Sequence, residues 1–164
     1  ISACLVGSEM CIRDSTTGWG SAFGLSAGFA YDETVPSTVG KVVTFKLGGE
    51  GEIADPDFPM IDKTPKADSF GDETMIAEGA VHYARNCTVC HGPLAVSSGV
   101  LPDLRWSAIT GNETAWKGVV IDGNLAVNGM VSFADYLTPE QSESIRAYVL
   151  AQAHAAATAE AGEN

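Results

Sequence analysis

Two thiols three positions apart, with an imidazole next to the second, stand in Cys87-Thr88-Val89-Cys90-His91. No other feature restricts the chain as much. C-x-x-C-H is the attachment sequence of c-type haem. At a helix end the two sulfurs can bond the two vinyl groups of one porphyrin, with the adjacent imidazole placed against the iron. Two other readings compete. A structural zinc site needs four protein ligands, and the remaining histidines, His82 and His154, have no partner and read as ordinary surface residues. A thiol–disulfide enzyme would carry C-x-x-C in a βαβ context, whereas the flanks here read as helical and polar.

A six-coordinate electron-transfer haem takes a second axial ligand, usually Met or His. Met130, in Asn128-Gly129-Met130-Val131-Ser132-Phe133, is the candidate, because a loop methionine beside glycine can approach iron closely. Met75 fits the apolar face of a helix and Met60 falls in a linker. A thioether ligand favours Fe(II) and raises the potential. In Pro102-Asp103-Leu104-Arg105-Trp106 the Pro102 carbonyl is expected to accept the second N–H of His91 and so fix the ring. Arg105 is expected to pair with a propionate, and Trp106 and Trp116 to pack in the haem pocket. No residue is expected to be catalytic.

Asp and Glu number 21 against 9 Lys and Arg, a net charge of −12. Nucleic acid and anionic membrane would repel such a surface. No apolar run approaches the roughly 18–20 residues that span a bilayer. With 45% hydrophobic and 18% charged residues among 164, most of the chain is expected to fold. There is no start methionine and no signal peptide, so the chain is expected to begin mid-protein.

The chain divides into five stretches. Residues 1–15 have no clear amphipathic period and match one reading frame of a transposase-type adaptor used in DNA library preparation. They are expected to be a translated sequencing scar outside the fold, which removes Cys4 and Cys11 from the cysteine count. Residues 16–49 are Gly-rich, and Val43, Phe45 and Leu47 alternate with Val42, Thr44 and Lys46 as in a half-buried strand. That piece is too short for a stable sheet of its own. Residues 50–72 scatter Pro56, Pro59 and Pro65 among acids, the composition of a stiff, extended linker.

Residues 73–152 read as a compact helical domain. Asp72 caps a helix through Tyr83, and a second short helix covers Glu113 to Ile121. A third starts at Thr138-Pro139-Glu140-Gln141, which joins a capping box to a proline at the first helical position. Gly79 and Tyr83 are expected to face Tyr148 where the first and last helices cross. The Ala-rich residues 153–164 show little apolar face and are expected to fray as a flexible tail.

These residues make the domain similar to a class I cytochrome c, a mainly α fold. It has an N-terminal helix ending in C-x-x-C-H-G, a methionine loop and a C-terminal helix packed across the first. More narrowly, the chain resembles the C-terminal haem domain of quinohaemoprotein alcohol dehydrogenases, which use pyrroloquinoline quinone (PQQ). The resemblance rests on Tyr83 to Gly92, Val100 to Arg105, Trp116 to Gly123, Gly129-Met130-x-Ser132-Phe133, Leu137-x-Pro139-Glu140 and Ile145 to Val149. Upstream, Gly18 to Phe23 and Gly40 to Gly49 resemble the closing strands of that family's propeller. Val131 departs from the family, which often has proline there.

The resemblance implies a parent enzyme that oxidises an alcohol at PQQ and calcium inside the propeller. Electrons would pass singly to one covalent haem c and on to a small periplasmic acceptor, a cytochrome or a copper protein. This chain lacks the catalytic aspartate, the calcium ligands and nearly all of the quinone pocket, so it would not oxidise an alcohol alone. The partners implied are the propeller domain of the same parent chain and that acceptor, in the periplasm. A free-standing shuttle cytochrome is the first alternative and a thiol–disulfide oxidoreductase the second.

Overall fold

A computed structural model of the protein describes residues 12–17, 41–52, 62–97 and 101–162. It is mainly helical. Helix α1 covers Glu73–Asn86, α2 is the single turn Thr88–His91, α3 covers Glu113–Val120 and α4 covers Pro139–Gly162. Single turns of 3₁₀ helix at Pro93–Ala95, Leu104–Trp106, Ala108–Gly111 and Ala126–Asn128 connect them.

Local chemistry fixes the helix starts. The Asp72 carboxylate accepts from the Met75 amide at 2.8 Å, and Asn112 does the same for Ala115 at 2.9 Å. At α4 the capping box is reciprocal. Thr138 N–H donates to Gln141 Oε1 at 2.9 Å, and Gln141 N–H donates to Thr138 Oγ1 at 3.2 Å. Glu73 in the first turn of α1 and Arg85 in its last match the helix dipole.

Helices α1 and α4 cross at Gly79, where the α1 backbone lies against the carbonyl of Ser144. One turn further on, the Tyr83 and Tyr148 rings stand 5.3 Å apart, tilted at 50°. Tyr83, Leu104, Trp116, Val120, Leu137, Ile145 and Val149 form one buried core around this crossing, with Cys87 at its margin. The Trp116 indole N–H, buried under α4, donates to the Ser142 carbonyl and hydroxyl, both at 3.0 Å.

Three expectations change. The tail does not fray: α4 runs on to Gly162, with Ala153 fully buried and His154 Nε2 2.9 Å from the Ala67 carbonyl oxygen. Alanine offers little apolar area per residue, but it lets another backbone come close, and here the Ala67 carbonyl does so at His154. His154 is therefore half-buried rather than a surface residue. The stretch assigned to a linker is, from Asp62 on, a strap on the helical domain. The Lys66 carbonyl abuts Gly111 and Phe70 lies under Arg146, whose guanidinium is 4.2 Å from the ring centre. Lys66 Nζ also holds Asp62 Oδ2 at 2.6 Å, and that ion pair pulls the exposed Asp62 carboxyl down to about 2.

The third change concerns the strands. β1 (Ile12–Thr17) pairs antiparallel with β2 (Lys41–Lys46), in the register Ile12 opposite Lys46 and Thr17 opposite Lys41. Ile12 to Ser15, set aside on sequence, thus join a ladder. Pairing asks only for extended backbone, and an open edge such as β2 offers it to any segment. Of the three alternating apolar residues only Val43 is half-buried; Phe45 and, just past β2, Leu47 are exposed. Among the described residues the two strands have no second layer to cover a face. Met60 lies outside the described residues, as do Cys4, Cys11 and residues 18–40.

Candidate cofactor site

The end of α1 builds the site. The Cys87 amide still donates to Tyr83 O at 2.8 Å, closing α1. The chain then turns again through α2, where the Cys90 and His91 amides reach back to Cys87 O at 3.1 and 2.9 Å. Two consecutive turns therefore carry both thiols and the imidazole. Both cysteines are free thiols, Cys87 buried and Cys90 exposed. Burial, with Cys90 close by, pushes the Cys87 thiol up to about 12.

Gly92 follows at φ 77°, a left-handed position, and a Cβ there would collide with the Val96 carbonyl. Leu94 and Ala95 share positive φ, 57° and 60°. This tight reversal brings the chain back beside His91. The Tyr83 hydroxyl donates to Gly92 O at 2.8 Å and approaches His91 O at 3.3 Å, fastening the reversal to α1.

His91 is buried, with Nδ1 3.1 Å from the Pro102 carbonyl oxygen. A carbonyl only accepts, so Nδ1 carries the proton and Nε2 keeps its lone pair. Burial lowers the imidazole below its ordinary value, partly offset by the Pro102 bond and the Asp103 charge. The ring is thus neutral, oriented and ready to ligate.

Met130 lies in the segment between α3 and α4 and is half-buried against the same core that takes in Cys87. Three bonds hold that segment: Met130 N–H to Leu125 O at 3.2 Å, Ser132 Oγ to Ile121 O at 2.5 Å, and Phe133 N–H to Val120 O at 2.8 Å. Gly129 turns at φ 96° just before the thioether.

Two of the Arg105 guanidinium nitrogens have a protein partner. The side chain forms a fork with Asp103, Nε to Oδ1 at 3.1 Å and Nη2 to Oδ2 at 2.8 Å, and lies 5.1 Å from the Trp106 ring centre. Trp106 is buried in the 3₁₀ turn after Pro102. Trp116 is set into the core under α4, as a packing residue of the helix crossing. The sequence reading missed Asp103 and the Tyr83 hydroxyl. The signal for Asp103 was present, an aspartate placed to cap the Leu-Arg-Trp turn that follows it.

The donor set fits a c-type haem: two free thiols on adjacent turns, an oriented neutral imidazole, and a thioether packed on the same core. The apolar side chains flanking these donors, Val89, Leu94, Leu125, Val127 and Val131, are exposed. Such residues suit a large apolar group laid across them. Among the described residues, no cluster of three or more His, Cys, Asp or Glu could hold a metal ion by itself.

Residues 74–149 match the protein family described as cytochrome C oxidase, cbb3-type, subunit III. The chain carries a cytochrome c domain. Outside that domain the similarity continues. Quinohemoprotein alcohol dehydrogenase ADH-IIG of Pseudomonas putida is 39% identical over 138 residues, 84% of this chain and 19% of that protein. The 1-butanol dehydrogenase (cytochrome c) of Thauera butanivorans is 35% identical over 141 residues, again 84% and 19%. The solved structure of ADHIIG from Pseudomonas putida HK5 superposes with a TM-score of 0.74 at 38% identity, covering 87% of this chain and 20% of that one. The chain therefore spans about a fifth of the length of the relatives it matches. A cytochrome c domain implies haem c and haem-mediated electron transfer. Among the described residues, no helix is long and apolar enough to cross a membrane.

Proposed function

We propose that this chain is the haem-bearing electron-transfer portion of a PQQ-dependent alcohol dehydrogenase. Cys87 and Cys90 would tether the porphyrin, and His91 Nε2 and the Met130 sulfur would hold the iron. When bound there, haem c supplies a one-electron Fe(III)/Fe(II) couple. Pro102 fixes the imidazole through its carbonyl, and Trp106 together with the apolar residues beside the donors excludes water. Arg105, forked to Asp103, is placed through that pair. Trp116 serves the cofactor only indirectly, by holding α3 against α4.

The electron donor is the reduced quinone of a PQQ- and calcium-containing propeller domain in the same parent chain. The acceptor is a small redox protein, and the setting is the periplasm, where covalent haem attachment takes place. Alcohol oxidation belongs to the propeller. Support for this parent over a free-standing shuttle comes from alignments covering 84% of the chain, well beyond residues 74–149, and from the uncovered apolar side chains of β2. The thiol–disulfide alternative is disfavoured by Cys87. Redox-active thiols of that kind are depressed below about 8.5, whereas burial drives this one upward.

The observation that carries the proposal is His91, neutral and tied to Pro102, on the turn that holds Cys90 and starts from Cys87. The test is expression with haem-maturation machinery, followed by a reduced-minus-oxidised absorption spectrum of the denatured, acid-extracted protein. Covalent haem in the wild type and its loss in Cys87→Ala/Cys90→Ala is the expected result. A chain that emerges without covalent haem would reject the proposal. Resequencing the source DNA across the junction near Thr16 separates the two parents, since upstream propeller codons and a nearby start codon are mutually exclusive outcomes.

A further inference from the structure

We propose that Asp103 is the positioning residue of the His91 imidazole, acting through the Pro102 carbonyl. The inference rests on the haem reading above and adds a residue to it. Asp103 makes no hydrogen bond to the ring, yet its carboxylate organises the backbone on which the ring's partner, the Pro102 carbonyl, sits.

Four contacts converge on that side chain. Oδ1 accepts from the Arg105 amide at 3.0 Å and from Arg105 Nε at 3.1 Å. Oδ2 accepts from Arg105 Nη2 at 2.8 Å and from the Ser97 amide at 3.3 Å. Ser97 in turn donates its hydroxyl to the Leu101 carbonyl. Asp103 thus ties the chain leaving the reversal, at Ser97, to the chain entering the Leu104–Trp106 turn. Pro102 lies between Leu101 and Asp103, so both of its flanks are held.

A proline has no amide hydrogen to anchor it. The direction of the Pro102 carbonyl is therefore set by its neighbours, and Asp103 is the neighbour with side-chain bonds. The ion pair is largely shielded, with side-chain exposures of 11% for Arg105 and 13% for Asp103. Shielding from water makes such a charge-assisted fork stronger than an exposed pair. The geometry it fixes is functional. A hydrogen bond from a ligating imidazole to an oriented acceptor raises the basicity of the ligand, and its loss costs metal affinity or activity.

A weaker bond makes His91 a poorer donor, which disfavours Fe(III), and loss of a nearby negative charge acts in the same direction. The midpoint potential should rise in the order wild type, Asp103→Asn, Asp103→Ala. Asn keeps an acceptor of similar shape without the charge, whereas Ala also opens the loop. The experiment compares the haem-loaded wild type with both variants and with Glu113→Gln, an exposed acid at the start of α3 that controls for charge alone.

Two readouts are taken, the potential and the hyperfine-shifted haem methyl resonances of the oxidised protein, which report how the axial imidazole is turned. Expected are a positive shift larger than that of Glu113→Gln and a redistributed methyl pattern in Asp103→Ala. If Asp103→Ala does not fold, Asp103→Asn is read alone against the control. Variants that lose thermal stability while keeping the wild-type potential and methyl pattern would overturn the inference, leaving Asp103 a structural residue. A wild type that binds no covalent haem would instead sink the function proposed above, so the two failures are told apart.

Discussion

Gly79 on α1 and Ser144 on α4 meet so closely that no side chain fits between them. A Cβ built at Gly79 runs into the Ser144 carbonyl and stands 3.0 Å from Tyr148 Cβ. Helix propensity alone would make Gly79→Ala stabilising by roughly 1 kcal/mol. Contact with a backbone carbonyl reverses the sign, because a backbone does not step aside as a flexible side chain does. Gly79→Ala should lower stability by about 1–3 kcal/mol, the usual range for overpacking. Denaturant unfolding of the haem-loaded protein measures it, and a more stable variant would mean that the helices do not cross there.

Tyr83→Phe removes the hydroxyl that fastens the reversal at Gly92 and should cost about 1–2 kcal/mol. It also has a pH signature. Burial raises Tyr83 above the ordinary phenol range, so the folded state holds its proton after the unfolded chain has released it. The contribution is fully present below about pH 10, the value of a free tyrosine, and is lost as pH rises toward the folded value. Unfolding free energies measured from about pH 9 to 11 should fall more steeply in the wild type than in Tyr83→Phe. Equal slopes would mean that the hydroxyl is not buried.

Met130→Ala should leave the fold standing, since the segment around it is held by backbone bonds and by Ser132. Thioether ligation raises the potential, so its removal should lower the midpoint potential. Redox titration reads the change, and an unchanged potential would reject Met130 as the second ligand.

Arg146 joins three parts of the domain. Its guanidinium grips the Glu143 carboxylate, with Nη2 to Oε2 at 2.7 Å, donates to Thr110 O at 3.3 Å and covers the Phe70 ring. Arg146→Ala should cost about 2–3 kcal/mol, because it strands a half-buried carboxylate and unpins the strap. Arg146→Lys keeps the charge but not the planar fork or the stacking, and should recover only part of the loss. Limited proteolysis after Lys63 and Lys66 should accelerate in Arg146→Ala. Unchanged cleavage would show that Phe70 is held by something else.

What could be read from sequence was what depends on near neighbours. Asp72, Thr138 and Gln141 each cap a helix through bonds spanning three residues, so their roles follow from spacing alone. The donor motif is likewise contiguous. Gly79 facing Tyr148 is a longer-range expectation that succeeded, because a glycine inside a helix needs a reason and a close crossing supplies one. The misses depend on partners far along the chain. Ala153 and His154 read as a fraying end because nothing near them reveals that Ala67 lies alongside. Asp103 is the exception, missed although its partner Arg105 is only two residues away. Charge type was legible there, but the direction of the side chain was not.

The strap between Asp62 and Phe70 moves the point from which the domain is carried. A chain that left α1 directly would let the domain swivel about the start of that helix, the end opposite the donor turns. Because residues 64–68 lie along the end of α4, with His154 on the Ala67 carbonyl, the attachment falls under the far end of the last helix. Whatever precedes Asp62 therefore pulls on the domain off-centre, through α4.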